Sequence, residues 1–260
     1  MRRVAFWKWE DGWPKAVTAF LILAILSLLQ LPCSRLTQKG MFSAGILINE
    51  WVVLFGGVWL STKILKLPWK KVAVFRAVTK KQIGWLLILA FSLFIVIDYL
   101  IFLSEQVWAP DPRIKTFLDM LMAAGTTTQV LWKWFLLCIT PAVCEEILFR
   151  GFFQPSLTRQ YGVFWGMGLT SFFFALLHGI PAYFHLYFLL GFAFCWIYQV
   201  TKNLWFPILA HLLNNSWTFG THLLDKQIPQ SGAMQSFDFF VMLICIGITA
   251  FAAKKFAETP

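Results

Sequence analysis

Residues 130–150 read VLWKWFLLCITPAVCEEILFR. The run is apolar enough to enter a membrane, yet it ends in Glu145, Glu146 and Arg150. An ionisable side chain at bilayer depth costs about 3 kcal/mol on insertion scales, so it must face a partner or a cavity. The stretch therefore reads as a span packed inside a helical bundle.

Working outward, the rest of the chain fits lipid as its solvent. Of the 260 residues, 59% are hydrophobic and 13% charged, against about 45–50% and about 25% in soluble domains. About eight apolar runs read as spans. They lie near 16–31, 41–60, 83–103, from Val130 through the Glu pair, and near 161–178, 182–200, 204–224 and 237–253. The predicted fold is an all-α membrane bundle of about eight transmembrane helices, with the polar site in its C-terminal half. Neither a repeat nor a soluble domain is visible, so residues 1–260 read as one membrane domain. The five cysteines are scattered, without metal or disulfide spacing.

The net charge of +10 is carried mainly by alternate loops. Arg2, Arg3, Lys8 and Lys15 precede the first run, which has no small-x-small cleavage site and so reads as a retained span. The 63–81 segment holds Lys66, Lys70, Lys71, Arg76, Lys80 and Lys81, and Lys254-Lys255 close the last run. With eight spans these regions share one side, which makes both termini cytoplasmic. An integral protein of the bacterial cytoplasmic (inner) membrane is expected. Nucleic-acid binding is not, because no polar domain carries a basic face. The 63–81 segment reads either as a basic amphipathic helix on the anionic leaflet or as a plain loop. The polar stretch 104–128 is expected outside.

The ionisable and amide residues of the later spans carry the chemistry. Glu146 and Arg150 are four apart and share a helix face, so they can pair. Glu145 is rotated about 100° away and is left as a free carboxylate suited to a general base. A structural cluster of all three residues is the competing reading. Phe174 lies one turn below His178, where its ring can fix the imidazole. His211 and Asn215 share a face, and their donors could stabilise an oxyanion. Alternatively, they act as polar contacts between helices. Together the residues supply a base, an orienting partner and an oxyanion donor, the requirements for water attack on an amide. Glu50 and Asp98 also lie in spans, where each could pair within the bundle or border the cavity; they read as structural pairs outside the site.

Glu145-Glu146-x-x-x-Arg150, Phe174-x-x-x-His178 and His211-x-x-x-Asn215 resemble the three motifs of the CAAX protease and bacteriocin-processing (CPBP, or Abi) family of glutamate-type intramembrane proteases. Leu204-Trp-x-Pro207-x-x-x-His211 is similar to that family's approach to its last motif. The resemblance covers roughly residues 129–220. It implies that Glu145 activates water, with His178 holding or polarising it. It also implies that His211 and Asn215 form the oxyanion hole, and that Glu146 and Arg150 brace the site. No cofactor is implied, although zinc held by Glu145, His178 and His211 stays open as an alternative. The partners would be the lipid bilayer and a membrane-associated peptide or protein substrate. A non-catalytic scaffold of the same family and a proton-coupled transporter are the other functional readings.

One depth mismatch follows from helix rise. Glu145 lies roughly 18–20 Å from the cytoplasmic end of its helix, but His211 only about 10 Å into its own. Either the latter helix begins deeper or the chain dips at Pro207.

Overall fold

Two amphipathic demands shape the bundle: apolar faces seek lipid or one another, and every backbone polar group needs an internal partner. In the computed structural model, which describes residues 12–225 and 235–259, the chain is all helix and connections. The expectation drawn from Arg2, Arg3 and Lys8 lies outside the described residues. The helices are α1 (Ala16–Gln38), α2 (Phe42–Leu65), α3 (Lys80–Val107), α4 (Pro112–Met122), α5 (127–161), α6 (163–177), α7 (Phe184–Thr201), α8 (Trp205–Asp225) and α9 (Gln235–Ala257). The chain is an all-α membrane protein.

Five helical stretches are long and apolar enough to cross a membrane, namely Ala16–Gln38, Phe42–Leu65, Lys80–Val107, Pro181–Thr201 and Phe239–Ala257. The expected number of crossings is about eight. Of the four remaining helices, α4 has only 11 residues, and α5, α6 and α8 carry the polar residues. Three charges within six residues dilute α5, a break shortens α6, and His211, Asn214 and Asn215 dilute α8.

Helices α5 and α6 form a hairpin around Gly162, whose φ of 80° is a conformation that side-chain-bearing residues rarely adopt. Phe149 faces Phe174 and Phe153 faces Phe173, with ring centroids 5.2 and 5.9 Å apart. These pairs are centred on the turn and set the hairpin's register. Helix α9 lies along α3, α7 lies along α6, and α8 packs against both α3 and α5. The middle of α2 packs on α5 at residues 140–146. Three buried hydroxyls are satisfied within their own helices: Ser156, Thr170 and Ser171 donate to the carbonyls of Phe152, Gly166 and Met167 at 3.0, 2.7 and 2.8 Å.

The 63–81 segment corrects the amphipathic-helix reading. Beyond the end of α2 and before α3, only Trp69–Val72 is helical. Pro68 blocks continuation from α2, and residues 74–79 are irregular backbone that pairs inward. Val74 O accepts from Leu204 N at 2.9 Å, and the Asn203 side chain bonds both Arg76 N and Arg76 O at 3.2 Å. Val72 is buried against Gly151, where a Cβ would sit 2.8 Å from Val72 O. The segment is a floor wedged beneath the bundle. Lys70, Lys71, Arg76, Arg159 and Lys202 gather at this end around a concavity of about 570 Å³.

The floor also removes the depth mismatch. Leu204 and Phe206 are buried, so α8 begins inside the bundle and His211 reaches the level of the Glu pair.

At the other end, the 104–128 stretch contains α4. The Tyr183 hydroxyl donates to Glu105, and Ser104 bonds His185 at 2.7 Å. Asp98 accepts from Trp217 Nε1 at 2.5 Å, a structural contact between α3 and α8.

Candidate active site

Helix α5 is not uniform around its Glu pair. It widens into π-helix at Phe135–Ile139, returns to α-helix at Thr140–Glu146, and widens again at Ile147–Phe153. Such turns often mark functional sites. Pro141 follows the first wide turn. Proline has no N–H and its ring displaces the carbonyl four residues earlier, which here is Leu137. Leu137 O instead accepts from Asn215 Nδ2 at 3.2 Å. Asn215 thus donates to the carbonyl that Pro141, having no N–H, cannot serve.

Glu146 and Arg150 are both fully buried. Arg150 Nη1 donates to Glu146 Oε1 at 2.7 Å, and Nη2 donates to Gly191 O of α7 at 2.9 Å. The guanidinium carbon lies 4.6, 5.4 and 5.8 Å from the ring centres of Phe174, Phe194 and Phe149. This aromatic cage attracts the cation electrostatically while it excludes water. His211 Nδ1 reaches the same Glu146 oxygen at 2.8 Å, and its ring stacks on Phe194 at 5.2 Å. The ionised carboxylate only accepts, so Nδ1 carries the proton and Nε2 is the acceptor of the neutral ring.

Glu145 leaves this cluster. It lines a chamber of about 170 Å³ with His178, Phe174, Leu148, Gln30 and Asn49, and its Oε2 is buried with no hydrogen-bond partner among the described residues. His178 Nδ1 lies 2.7 Å from Phe174 O. A carbonyl can only accept, which assigns the proton to Nδ1 and leaves Nε2 as an acceptor. The imidazole is clamped between Phe174, 4.6 Å away, and Tyr187, on which it stacks at 4.1 Å. A carboxylate and a neutral imidazole facing one small polar chamber can hold a water and take its proton.

The structure brings Glu145 and His178 to one chamber, and Glu146, Arg150 and His211 to another cluster. His211 and Asn215 both face α5, as their shared helix face requires, and there they meet different acceptors. The first donates to Glu146 and the second to Leu137, because each satisfies a buried acceptor on α5. Among the described residues, no three His, Cys, Asp or Glu side chains are placed to hold one metal ion, so the trio Glu145, His178 and His211 is not assembled. Sequence reasoning missed Tyr187, Phe194 and the Gly191 carbonyl, which nothing in an apolar run distinguishes from ordinary packing. It also missed Gln30 and Asn49, which stand out only as amides within apolar spans.

Residues 127–217 match the protein-family model described as "Type II CAAX prenyl endopeptidase Rce1-like". The motif-bearing core is thus similar to the CAAX protease family. This Rce1-like stretch contains every site residue named above except Gln30 and Asn49. The chain is also 33% identical over 79 residues to "Putative membrane peptidase YdiL" of Bacillus subtilis (strain 168), covering 30% of this chain. It spans about a third of the length of that curated relative, 32%. No solved structure matches.

Proposed function

We propose that this protein is an intramembrane endopeptidase that hydrolyses a peptide bond in a membrane-associated peptide or protein. The carrying observation is the division of labour between adjacent carboxylates. Glu146 is bonded through Oε1 to Arg150 and His211, while Glu145 faces a chamber shared with His178; among the described residues, Oε2 of each carboxylate is buried without a hydrogen-bond partner. In the proposed reaction, water is held between Glu145 and His178 Nε2. Glu145 takes its proton, and the water oxygen bonds to the peptide carbonyl carbon to give a tetrahedral oxyanion. Collapse breaks the C–N bond, and the proton on Glu145 passes to the leaving amine. Glu146, Arg150 and His211 hold α5, α7 and α8 in register around the chamber. Asn215 keeps one N–H beyond its bond to Leu137, and His211 could donate from Nε2 only as the imidazolium.

The gathering of Lys70, Lys71, Arg76, Arg159 and Lys202 at one end supports the orientation in which that end faces the cytoplasm of a bacterial cell. Family likeness supports a substrate that lies in or on the membrane. Terminal proteomics of a Glu145→Gln strain against wild type tests the reading. An uncut membrane precursor should accumulate in the variant. Identical termini in the two strains would remove the peptidase and leave a scaffold or transporter.

A further inference from the structure

The C-terminal half offers the proposed chemistry one spare donor, where an oxyanion hole is commonly built from two. Hydrolysis needs a hydrogen-bond donor aimed at the oxygen on which negative charge develops. Glu145 Oε2 and His178 Nε2 are both acceptors. The His178 N–H is bonded to Phe174 O, the His211 N–H to Glu146 and one N–H of Asn215 to Leu137 O, which leaves the second Asn215 N–H.

The other wall of the chamber comes from α1 and α2, outside the Rce1-like stretch. Gln30 of α1 and Asn49 of α2 both line it. Gln30 Nε2 is buried with no partner among the described residues, and so is Asn49 Oδ1. The Asn49 orientation is fixed, because its Nδ2 donates to Glu50 Oε1 at 2.9 Å. A carboxylate attracts the NH2 end of the amide and turns the carbonyl end the other way. Glu50 thereby has a definite positioning task, which its expected role as a structural pair did not specify. An unpartnered buried amide group costs about 1–3 kcal/mol. Two of them in one chamber with an unpartnered carboxylate oxygen form a set awaiting a polar occupant.

The occupant's chemistry follows from the set. A peptide unit presents one carbonyl acceptor and one N–H donor, and both need partners away from water. Among the described residues, Gln30 Nε2 is an uncommitted side-chain donor of the lining, and Asn49 Oδ1 is an uncommitted acceptor of the same lining. We propose that Gln30 and Asn49 bind the substrate backbone: Gln30 Nε2 donates to the carbonyl oxygen under attack, and Asn49 Oδ1 accepts from an N–H of the same peptide. Substrate would thus be gripped between the N-terminal helices and the motif helices. This rests on the peptidase reading.

The test uses the full chain in lipid nanodiscs and a peptide spanning the cleavage site of the precursor that accumulates in Glu145→Gln cells. Gln30→Met keeps the side-chain volume and removes the donor. It should lower kcat about 100-fold, the effect of losing one oxyanion donor, with KM little changed. Asn49→Leu should instead raise KM about tenfold. The melting temperature of Gln30→Met should hold or rise, because an unsatisfied group has been removed. Wild-type kinetics in both variants, with Glu145→Gln inactive, would overturn this inference alone. A melting loss in Gln30→Met that accounts for its lost activity would do the same. If no precursor accumulates, or Glu145→Gln cuts normally, the peptidase reading falls and takes this inference with it.

Discussion

His211 Nδ1 and Arg150 Nη1 converge on a single oxygen, Oε1 of Glu146, from 2.8 and 2.7 Å. Three helices meet through that atom, because Arg150 also holds Gly191 O of α7. Removing one member of a buried ion pair strands the other charge. Glu146→Leu should therefore destabilise the protein by about 3–5 kcal/mol. Glu145→Gln, which strands nothing, should leave stability within about 0.5 kcal/mol. Denaturant titration in detergent, followed by tryptophan fluorescence, measures both. Equal losses would contradict the assigned division between the two carboxylates.

Asn215 and Pro141 should be energetically coupled. Asn215→Ala leaves Leu137 O without its donor and should cost about 1–3 kcal/mol. In a Pro141→Ala background, residue 141 regains an N–H and can bond Leu137 O itself. The second loss should then shrink by about 1 kcal/mol or more in a double-mutant cycle. Strict additivity would mean that the orphaned carbonyl is not what Asn215 serves.

His178→Phe separates packing from chemistry. The ring can still lie between Phe174 and Tyr187, so folding should be nearly unchanged. The acceptor nitrogen is gone, and cleavage of the accumulated precursor should fall at least about 100-fold. Retained cleavage would reduce His178 to a packing residue.

Gly151→Ala places a methyl group 2.8 Å from Val72 O, against backbone that cannot swing aside cheaply. A loss of about 1–3 kcal/mol is expected from overpacking. The floor segment should become easier to nick, and limited proteolysis near Lys70 and Lys71 would report it. An unchanged digestion pattern would argue that the floor is not locked by this contact.

The helices were legible because apolar runs of spanning length leave few alternatives, and the motif residues because charge is conspicuous in lipid. Four-residue spacing correctly joined Glu146 to Arg150. Spacing also set His211 beside Asn215, but it could not say what each would bond. That depended on Glu146 and on a carbonyl freed by Pro141, both on another helix. Gln30 and Asn49 were illegible for a related reason. A lone amide in a span usually bridges helices, and only the folded chamber shows Gln30 Nε2 and Asn49 Oδ1 without a partner among the described residues. The 63–81 segment misled because its basic and aromatic residues suit a surface helix, whereas Asn203 and Leu204 supply the inward hydrogen bonds that hold it as a floor.

The wide turns of α5 have a consequence for chain length. A π-turn accommodates one residue more than an α-turn. Deleting a single residue within Phe135–Ile139 would let that turn close as ordinary helix. Because the turn still completes one revolution with one residue fewer, the helix on its N-terminal side would keep its rotation relative to the Glu pair. A deletion within Thr140–Glu146, which has no such slack, would instead rotate everything on its N-terminal side by about 100° relative to the residues that follow. Single-residue gaps should therefore be tolerated at the wide turns of α5 and not between them.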